Sequence, residues 1–575
     1  MRVTPGNIEE VLRKLGSHAA LAFDCETTGL ELTDIPFALV VTSDEETYYF
    51  DTRVVNWCSH PGVHALFTEN KVWVAQNFKF DARMLKSSGI TIGGIWADIA
   101  VMARIVDNQH QSYSLESQAK RRGEELKIDI KPALEEHGCY EQRVTKLGES
   151  IKHPRYDMVP IDLMEPYACQ DGKLTLELYK YYLSVMDEQD KAVFEHECAI
   201  TKVCFRMEQA GIFIDRKYTQ EAYDFENAKC VALKEQFRAQ TGLDYVNSAK
   251  HLCPIFEKLG EHIAHTMKGE LSLTDDVLST YTTPLAKLVQ EIRFFDKRVS
   301  TYYGSYLNKA HLDKIHPTMW QAGTRTGRFS YSDPNLQNIP KEDDGKYHVR
   351  RCFVPNFGNA FVSFDYAQME YRLAASYAGE TAVIRQVMGG ADFHQVTADT
   401  VGVDRSTAKT LNFATLYGAG LQKIANMLGI SKDAAKRLKT KFFLGMPKVE
   451  EFIRNVIATG KSRGYVSNWL GRKLRSDYEF CFALPNHLIQ GGGADIVKAA
   501  MVRIDVELPD VGMVLQVHDQ LVFDMHPSQF VHIPRIKEIM ESIWDKNGMR
   551  LAVDVEHSFV SFDSEDMIKG APPCS

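Results

Sequence analysis

Metal-binding cysteine spacings and long apolar runs are both missing from this sequence. The chain of 575 residues has 11 cysteines, but none forms a CxxC pair or stands with histidine at a zinc-binding spacing, so we expect no structural zinc. An odd number of scattered cysteines suits reduced thiols. No apolar run approaches the roughly 18 residues of a membrane span, and the amphipathic start MRVTPGNIEEVLRKLG is unlike a signal peptide. We therefore predict a cytoplasmic protein.

The sequence also lacks a large excess of one sign of charge, since its formal net charge is only −9. A chain with this charge does not coat nucleic acid indiscriminately, so any phosphate contacts must come from local basic patches. With 44% apolar and 25% charged residues, the composition is ordinary for a globular protein, and the length is too great for one compact core. A solvated helix face explains the first of two basic groups equally well. The two groups are Lys432, Lys436, Arg437, Lys439 and Lys441, and then Lys461, Arg463, Arg472, Lys473 and Arg475.

Two cations and two aromatic residues recur at a step of four in RSTAKTLNFATLYGAG. They are Arg405, Lys409, Phe413 and Tyr417. A step of four drifts only about 40° around an α-helix, so the four residues share one stripe roughly 18 Å long. Cations followed by rings suit a ligand with a polyphosphate at one end and a flat base at the other. The alternative is an amphipathic helix that buries both rings and leaves its cations in solvent.

Two aspartates stand where predicted strands end. AFVSFDYAQMEYRLAA has the pattern of a strand that ends at Asp365 and passes into a helix. VLQVHDQLVFD has the pattern of a hairpin with Asp519 at its tip. Two such carboxylates can place two divalent cations about 3.5–4 Å apart, as nucleotidyl transfer requires. Each acid alone is more often a turn or cap residue.

A second group of acids lies in the first third of the chain. LAFDCETTGL has the pattern of a strand with two acids on one face, and AQNFKFDARML and YACQDGKLTLELY each place two polar residues four apart on a predicted helix face. Any one pair is more often a cap or surface feature. Four carboxylates together can hold two metals across a phosphodiester while a phenol orients the attacking water. The residues are Asp24, Glu26, Asn77, Asp81, Tyr167 and Asp171.

The stripe and the two aspartate segments together resemble motifs B, A and C of the family A DNA polymerases, the group that includes bacterial DNA polymerase I. The resemblance implies that Asp365 and Asp519 hold the catalytic metals and that Glu370 blocks a ribose 2′-hydroxyl. The nucleotide contacts that it implies are Arg405 and Lys409 to the phosphates, Phe413 to the sugar and base, Tyr417 where the template base enters, Tyr366 and Gln368 near the sugar, and His394 near the triphosphate.

Two further segments resemble the DNA-binding blocks of this family. TRTGRFSYSDPNLQNIP resembles its primer–template segment and implies that Arg328 reaches the minor groove near the primer end. NHLIQGGGADIVK implies that Asn486 and Gln490, with His518, contact the template and primer strands. Minor-groove acceptors are nearly the same for every base pair, so these contacts can test pair geometry without choosing a sequence.

The chain departs from the family at two positions. Gln520 follows His518 and Asp519 where the family usually has glutamate, and an amide brings no negative charge to a metal. Phe482 stands where many relatives carry an arginine that contacts DNA. We therefore expect only Asp365 and Asp519 to be metal ligands in the polymerase site.

The acids in the first third resemble, in order, the three motifs of the DEDDy 3′–5′ exonucleases. The four acids and the tyrosine of these motifs are all present, so the resemblance implies an active proofreading site. In that site the metals are held by Asp24, Glu26, Asp81 and Asp171, and Tyr167 orients the attacking water.

These motifs predict a multidomain protein of α/β and α+β class. An RNase H-like exonuclease domain over residues 1–188 precedes a right-hand polymerase domain over 189–575, with DEQDKAVFEHE at the passage between them. The predicted thumb, mostly helical, covers about 196–310, the palm about 311–380 and 495–575, and the fingers about 381–494. The two catalytic aspartates flank the fingers in sequence and meet in the palm.

The implied cofactor is Mg²⁺, two ions per active site, with Mn²⁺ tolerated. The implied partners are primer–template DNA, deoxynucleoside triphosphates, and replisome proteins such as a helicase, a primase and a single-strand binding protein. The exonuclease motifs begin near residue 1, and the path from the thumb helices to TRTGRFS is too short for a thioredoxin-type thumb insertion. Both features indicate a phage replicative enzyme acting in a bacterial cytoplasm.

Three alternatives compete with this interpretation. A single-subunit RNA polymerase shares a related palm, but Glu370 and the exonuclease motifs favour deoxynucleotides. An inert accessory subunit could keep the fold for DNA binding, although the exonuclease motifs and the stripe are complete. A polymerase-fold nuclease with impaired synthesis is the third alternative, and Gln520 is the residue that favours it.

Overall fold

The computed structural model describes residues 1–123, 128–144, 150–266, 269–341 and 343–573. Within these ranges, no helix is both long enough and apolar enough to cross a membrane.

A mixed five-stranded sheet forms the centre of the N-terminal region. Its strands are β1 (Ala20–Thr27), β2 (Pro36–Thr42), β3 (Thr47–Asp51), β4 (Val72–Ala75) and β5 (Ile95–Asp98). In the order β3-β2-β1-β4-β5, the first three strands are antiparallel, and β4 and β5 continue parallel to β1. All seven residues of β2 are buried because helices cover the sheet. The expected strand in LAFDCETTGL is β1.

The helices of this region are α1 (Ile8–Gly16), α2 (Pro61–Thr68), α3 (Phe78–Ser87), α4 (Ile99–Val106), α5 (Leu115–Arg122), α6 (Lys131–Glu136) and α7 (Ile161–Val185). A separate antiparallel pair consists of β6 (Tyr140–Val144) and β7 (Ser150–Pro154). Helix α7 packs on β1, β2 and β3. A Cβ added to Gly172 would lie only 2.6 Å from side-chain atoms of Thr42 and Val40, so glycine permits this close approach of α7 to β2.

Helices dominate the next region, as expected for the thumb. They are α8 (Glu188–Ala210), α9 (Arg216–Thr241), α10 (Ala249–Lys258), α11 (Asp275–Leu278), α12 (Pro284–Lys297) and α13 (Gly304–Lys309), with a π-helical turn between the last two. The short strands are β8 (Ile212–Phe213), β9 (Ala264–His265), β10 (Leu271–Ser272), β11 (Lys314–Ile315), β12 (Thr318–Trp320) and β13 (Ser330–Ser332). The charged stretch DEQDKAVFEHE is the start of α8 and its N-cap.

A second five-stranded sheet, entirely antiparallel, corresponds to the predicted palm. Its five strands are β14 (Ala360–Tyr366), β17 (Met513–Val517), β18 (Gln520–Met525), β21 (Val553–Ser558) and β22 (Ile568–Lys569). Two separate antiparallel pairs are β15 (Tyr465–Ser467) with β16 (Lys473–Arg475), and β19 (Asp545–Lys546) with β20 (Met549–Arg550). The sheet order is β17-β18-β14-β21-β22. The expected hairpin in VLQVHDQLVFD is therefore β17 and β18. The expected strand in AFVSFDYAQMEYRLAA is β14.

The remaining helices connect or cover this sheet. They are α14 (Met369–Ala378), α15 (Thr381–Met388), α16 (Phe393–Val401), α17 (Arg405–Leu416), α18 (Leu421–Leu428), α19 (Lys432–Gly445), α20 (Pro447–Arg463), α21 (Leu484–Glu507) and α22 (Ile533–Ser542). Helix α14 follows β14 and packs against α20 and α21. The predicted fingers region is thus a helical segment inserted between two strands that pair in the palm sheet.

Candidate active sites

The palm sheet brings the two predicted catalytic aspartates together. Asp365 lies near the end of β14, and Asp519 is in the two-residue turn between β17 and β18. The two strands β14 and β18 pair with Asp365 opposite Gln520. The Tyr366 N–H donates to the Asp519 carbonyl oxygen across 3.3 Å. The two carboxyl groups therefore lie at the same end of neighbouring strands.

Burial and nearby acids raise the pKa of both carboxyl groups. Burial, followed by the charge of Asp365, raises the pKa of Asp519 to about 7. Burial also raises the pKa of Asp365, and the charges of Glu556 and Asp554 add to this effect against the opposing charge of Lys341. Such a partly buried acid pair is stabilised in its ionised form by a cation.

Gln520 occupies the position beside Asp365 but its side chain is engaged elsewhere. Its Nε2 donates to Ser363 Oγ across 2.6 Å, so the amide links β18 to β14. On the other side of β14, β21 places Asp554 opposite Asp365 and Glu556 opposite Ser363. The face of the sheet that carries Asp365 therefore has two further acids beside it.

The turn that carries Asp519 is held from outside by Gln337, which belongs to the PNLQNIP segment. The Gln337 Nε2 donates to the carbonyl oxygen and to Oε1 of Gln516, each across 2.9 Å. The His518 N–H donates to Gln337 Oε1 across 3.1 Å. His518 is exposed and has a φ of 56°, so its backbone adopts the left-handed conformation in this tight turn. The segment predicted to bind DNA thus also positions the hairpin.

The predicted stripe lies on the exposed side of α17 and its C-cap. Arg405, Lys409 and Phe413 are exposed, while the buried side of the helix consists of other residues such as Leu411 and Ala414. Phe413 is 45% exposed, and its ring stacks on Tyr417 with centroids 4.2 Å apart and an interplanar angle of 15°. The alternative in which the helix buries both rings is therefore wrong. Two stacked rings instead face outward beyond two cations.

Tyr417 joins the end of α17 to the start of α14. Its hydroxyl donates to Glu370 Oε2 across 2.7 Å, and Arg328 Nη2 donates to the other oxygen, Oε1. Burial and the adjacent Glu370 charge raise the pKa of Tyr417 to about 12, so the phenol remains a donor at neutral pH. The side chains predicted to contact the sugar, the template base and the minor groove thus form one chain.

Arg405, at the first turn of α17, is paired with an acid that sequence reasoning missed. Its Nε and Nη2 donate to the two carboxylate oxygens of Asp392 across 3.0 and 2.9 Å. Gln368 Nε2 also donates to Asp392, across 2.6 Å. Burial opposes the ionised form, but these bonds and the Gln395 N–H lower the pKa of Asp392 to about 2. Lys409, in contrast, has no ion-pair partner among the described residues.

His394 is buried between α16 and α17. It is 4% exposed, and Asn412 Nδ2 lies 3.0 Å from its Nδ1. Burial lowers the pKa of His394, with the charges of Arg405 and Lys409 acting in the same direction. A neutral imidazole beside the two cations is therefore favoured.

Three of the exonuclease acids meet beside β1, the central strand of the N-terminal sheet. Asp24 and Glu26 lie on β1, and the N–H of Cys25 between them donates to Asp81 Oδ1 across 2.9 Å. Asp81, on α3, is 2% exposed. Burial raises its pKa well above the usual range, and the charges of Asp24 and Glu26 act in the same direction. Three acids from two elements thus meet.

Helix α7 supplies the fourth acid and the tyrosine. Asp171 is 4% exposed and immediately precedes Gly172, where α7 touches β2. Tyr167 lies one turn earlier and is half-buried. Asn77 does not share a helix face with Asp81, because α3 begins only at Phe78 and Asn77 adopts a left-handed conformation with a φ of 59°.

Two family models match the two parts of the chain. A model of DNA polymerase family A matches residues 216–561, and a model of 3′-5′ exonuclease domains matches residues 4–187. The chain belongs to DNA polymerase family A. It combines a polymerase domain of this family with an N-terminal exonuclease domain, and the predicted fold class is confirmed.

The relatives of this family A chain include bacterial and phage enzymes. It is 27% identical to DNA polymerase I of Borreliella burgdorferi over 83% of the chain, and 29% identical to DNA polymerase I of Chloroflexus aurantiacus over 96%. It spans 54% and 62% of the length of these two relatives. With the DNA polymerase of Mycobacterium phage L5 it shares 26% identity over 92% of the chain and 90% of the relative.

A solved structure has the same fold. The structure described as the POL domain of Pol1 from M. smegmatis, in complex with DNA primer-template and dNTP, aligns with a TM-score of 0.81. The alignment covers 98% of this chain and 100% of the other at 22% sequence identity. The similarity extends through both parts of the family A chain.

Two of the five cations in the second basic group are wrong as phosphate contacts, while Lys461 and Arg463 are exposed and stay predictions. Arg472 is 5% exposed and donates to Asp495 and Glu197. Lys473 is 8% exposed and pairs with Asp187 and Asp190. These cations therefore join α8 to β16 and α21 inside the protein. In the first patch, Lys432, Lys436 and Arg437 lie on the exposed face of α19, as the solvated-face interpretation expects.

Family A polymerases and 3′–5′ exonuclease domains are generally two-metal enzymes. The donor atoms here fit that chemistry, because both clusters consist of carboxylates, the ligands that Mg²⁺ and Mn²⁺ prefer. Burial, followed by the charge of neighbouring acids, raises the pKa values of Asp519 and Asp81, so a bound cation would stabilise their ionised forms.

Proposed function

We propose that the chain is a DNA-directed DNA polymerase with 3′–5′ proofreading. The observation that carries the proposal is the position of Asp365 beside Asp519 at one end of the palm sheet. The helix with the exposed stripe is connected to this end, since Tyr417 binds Glu370 on the helix that follows β14. A carboxylate pair, a phosphate-binding helix and a sugar-contacting acid are then present together, as templated nucleotidyl transfer requires.

In this proposal, the residues of the chain bind, orient and select the nucleotide. Lys409 and Arg405 bind the triphosphate, and Arg405 leaves Asp392 to do so. Phe413 packs on the sugar and base, with Gln368 and His394 nearby. The Tyr366 side chain is 2% exposed and its hydroxyl donates to the Met540 carbonyl oxygen across 2.8 Å, so the predicted sugar contact of this side chain is wrong and only its backbone is left for it. When bound at Asp365 and Asp519, two Mg²⁺ ions would activate the primer hydroxyl and stabilise charge on the phosphates.

The sugar and the primer end are checked by the chain that Arg328, Glu370 and Tyr417 form. A carboxylate fixed by two hydrogen bonds cannot move aside, so a ribose 2′-hydroxyl meets it directly. Asn486, Gln490 and His518 contact the template and primer strands in this proposal. Such minor-groove contacts sense pair geometry rather than sequence.

The second active site hydrolyses a mispaired 3′ end. Asp24, Glu26, Asp81 and Asp171 would hold two Mg²⁺ ions, which would polarise the terminal phosphodiester, and Tyr167 would orient the attacking water. The meeting of Asp81 with β1 and the close packing of α7 support this site. Oxygen-only ligands would also accept Mn²⁺.

The biological setting of the proposal is phage replication in a bacterial cytoplasm. The extent of the match to the phage L5 polymerase, 90% of its length, supports this setting. Primer–template DNA and deoxynucleoside triphosphates are the proposed substrates, and a helicase, a primase and a single-strand binding protein are the proposed replisome partners.

One gel tests both activities. A labelled primer with a mismatched 3′ end is incubated with the purified chain and Mg²⁺, with and without the four deoxynucleoside triphosphates. We expect trimming without nucleotides and full-length product with them. Trimming without extension would favour the alternative of a polymerase-fold nuclease, in which Gln520, engaged by Ser363, leaves synthesis impaired. Extension with ribonucleotides in place of deoxynucleotides would instead favour an RNA polymerase.

A further inference from the structure

Three aromatic rings project into solvent from the 3-10 turn that precedes α21. Tyr478, Phe480 and Phe482 are 63%, 59% and 53% exposed, and the rings of the two phenylalanines have centroids 6.4 Å apart. Cys481, between them, is fully buried. A Cβ added to Gly460 of α20 would lie 3.3 Å from the Cys481 sulfur, so the turn packs on α20 through the Cys481 side chain.

These rings are not needed for packing, because Cys481 and the fully buried Leu484 anchor the turn. Adjacent exposed rings are unusual on a soluble surface and typically mark a binding site. We call Tyr478, Phe480 and Phe482 the aromatic row.

The aromatic row continues from the proposed template side of the polymerase site. A Cβ added to Gly418, next to Tyr417, would lie 3.2 Å from the Phe482 carbonyl oxygen and 3.9 Å from its ring. Asn486 and Gln490 follow Phe482 at steps of four, which keeps them on one side of α21. Gln490 lies close enough to Tyr417 for its amide to act against the rise in the pKa of that phenol. The row therefore begins where the template base is proposed to enter.

The charges around the row favour bases over phosphates. Asp477 and Glu479 alternate with the rings and are exposed, so the turn itself carries negative charge. Lys461 is the cation on the row, with its Nζ 4.9 Å from the centre of the Tyr478 ring. Aromatic faces stack on bases of any sequence, which suits an enzyme that copies every template. Paired bases hide their faces inside the duplex, so the rings can stack only on unpaired ones.

We propose that the aromatic row stacks on unpaired template bases that have not yet been copied. The inference rests on the proposed function, because it takes primer–template DNA as the ligand. Stacking on bases and contact with phosphates can be distinguished by how the affinity for DNA depends on salt. Stacking releases no counterions, so its contribution to affinity is nearly independent of salt, whereas phosphate contacts weaken steeply as salt increases.

The test compares two DNAs that share one duplex. One is blunt and the other has a 5′ template overhang of ten nucleotides. Dissociation constants are measured by fluorescence anisotropy in EDTA, where neither synthesis nor trimming proceeds. The variants are Phe480→Ala, Phe482→Ala and Phe482→Leu, and the matched control is Phe357→Ala, a fully exposed phenylalanine in the turn before β14.

We expect each alanine variant to bind the overhang DNA about tenfold more weakly while its affinity for blunt DNA is unchanged. Phe482→Leu should resemble Phe482→Ala, since leucine keeps the apolar surface but lacks a ring. Plots of log Kd against log salt should keep their slope. With 2-aminopurine placed along the overhang, quenching at one or two positions should be lost in the same variants. The control should match the unchanged chain throughout.

Several results would overturn the inference. Equal binding of the overhang DNA by the variants would show that the row contacts no template, and a protein partner would become the occupant to seek. A variant with a reduced salt slope would indicate a lost phosphate contact instead. Both outcomes leave the proposed function intact if the unchanged chain extends primers. If that chain binds neither DNA, the proposed function fails together with the inference.

Discussion

The hydroxyl of Tyr417 donates to Glu370 Oε2 across 2.7 Å, so the last residue of the fingers stripe is tied to the palm. Arg328 holds the other carboxylate oxygen. A buried or partly buried acid with both oxygens engaged has a fixed position, and a fixed position is what makes a carboxylate an effective steric barrier.

Removing this barrier should admit ribonucleotides. In Glu370→Ala, we expect the ratio of kcat/KM for a deoxynucleotide to that for the matching ribonucleotide to fall by at least about tenfold. Tyr417→Phe should lower the same ratio less, because Arg328 still holds the carboxylate. Single-nucleotide incorporation measures both ratios. An unchanged ratio in Glu370→Ala would remove Glu370 from the sugar contact.

Asp519 and its neighbour Gln520 should differ in their importance for synthesis. Asp519→Ala should reduce primer extension by about a thousandfold or more, because the proposed ligand of both catalytic metals is lost. Gln520→Ala should keep most of the activity, since its amide donates to Ser363 and brings no negative charge to a metal. Asp510→Ala, an exposed aspartate of the same region, is the control. Trimming of a mismatched end reports that each variant is folded, and near-normal extension by Asp519→Ala would contradict the assignment.

The pair between Asp392 and Arg405 should compete with the triphosphate. Exposed ion pairs contribute only about 0.2–1 kcal/mol, so freeing Arg405 can lower the KM for nucleotide by no more than about fivefold. We expect such a decrease in Asp392→Asn, which retains an oxygen for the N-cap of α16. Asp399→Asn, exposed on the same helix, removes the same charge without touching Arg405. A raised KM in Asp392→Asn alone would mean that Asp392 positions Arg405 for binding.

Acidification should increase the metal requirement of synthesis. The pKa of Asp519 is raised to about 7 by burial and by Asp365, so below that pH a metal must displace a proton. Each pH unit below 7 should then raise the half-saturating Mg²⁺ concentration up to about tenfold per displaced proton. Primer extension titrated with Mg²⁺ from pH 6 to 8, at constant ionic strength, measures this. A requirement that stays constant would show that the pair is ionised throughout.

Sequence alone predicted what depends on local pattern. The strand that ends at Asp365 and the hairpin that carries Asp519 follow from alternation and turn spacing, and the stripe follows from the helical repeat. The family and the fold class are confirmed, and so is the presence of both domains. The roles of the individual site residues stay predictions. The structure brings together Asp365 with Asp519, and Arg328 with Glu370 and Tyr417.

Asn77 was missed for a local reason, because α3 begins one residue after it, but two other misses share one physical cause, which is contact between distant segments. Asp554 and Glu556 lie beside Asp365 only because β21 pairs with β14, and no local pattern specifies that register. Arg472 and Lys473 resembled a basic patch because their partners, on α8 and α21, are far away in sequence. A charge list cannot distinguish a buried ion pair from a phosphate contact.

The exonuclease acids should be separable from synthesis. In the double variant Asp24→Ala, Glu26→Ala, we expect trimming of a mismatched 3′ end to fall by at least about a hundredfold, because two of four metal-binding carboxylates are lost. Extension of a matched primer should be unchanged, since these acids lie in the N-terminal sheet and the polymerase acids in the palm sheet.

The control for this prediction has the same loss of charge in the same sheet. Asp44→Ala, Glu45→Ala removes two exposed acids from the turn between β2 and β3 and should trim normally. Trimming is followed on a labelled primer without nucleotides, and thermal melting shows that both double variants fold. Because Asp81 is buried against Asp24 and Glu26, removal of their charges should also lower the pKa of Asp81 and stabilise the domain. Full trimming by the Asp24, Glu26 variant would place the nuclease site elsewhere. Lost trimming with a raised melting temperature would mean that these two acids serve catalysis at a cost in stability, and an unchanged melting temperature would show no such cost.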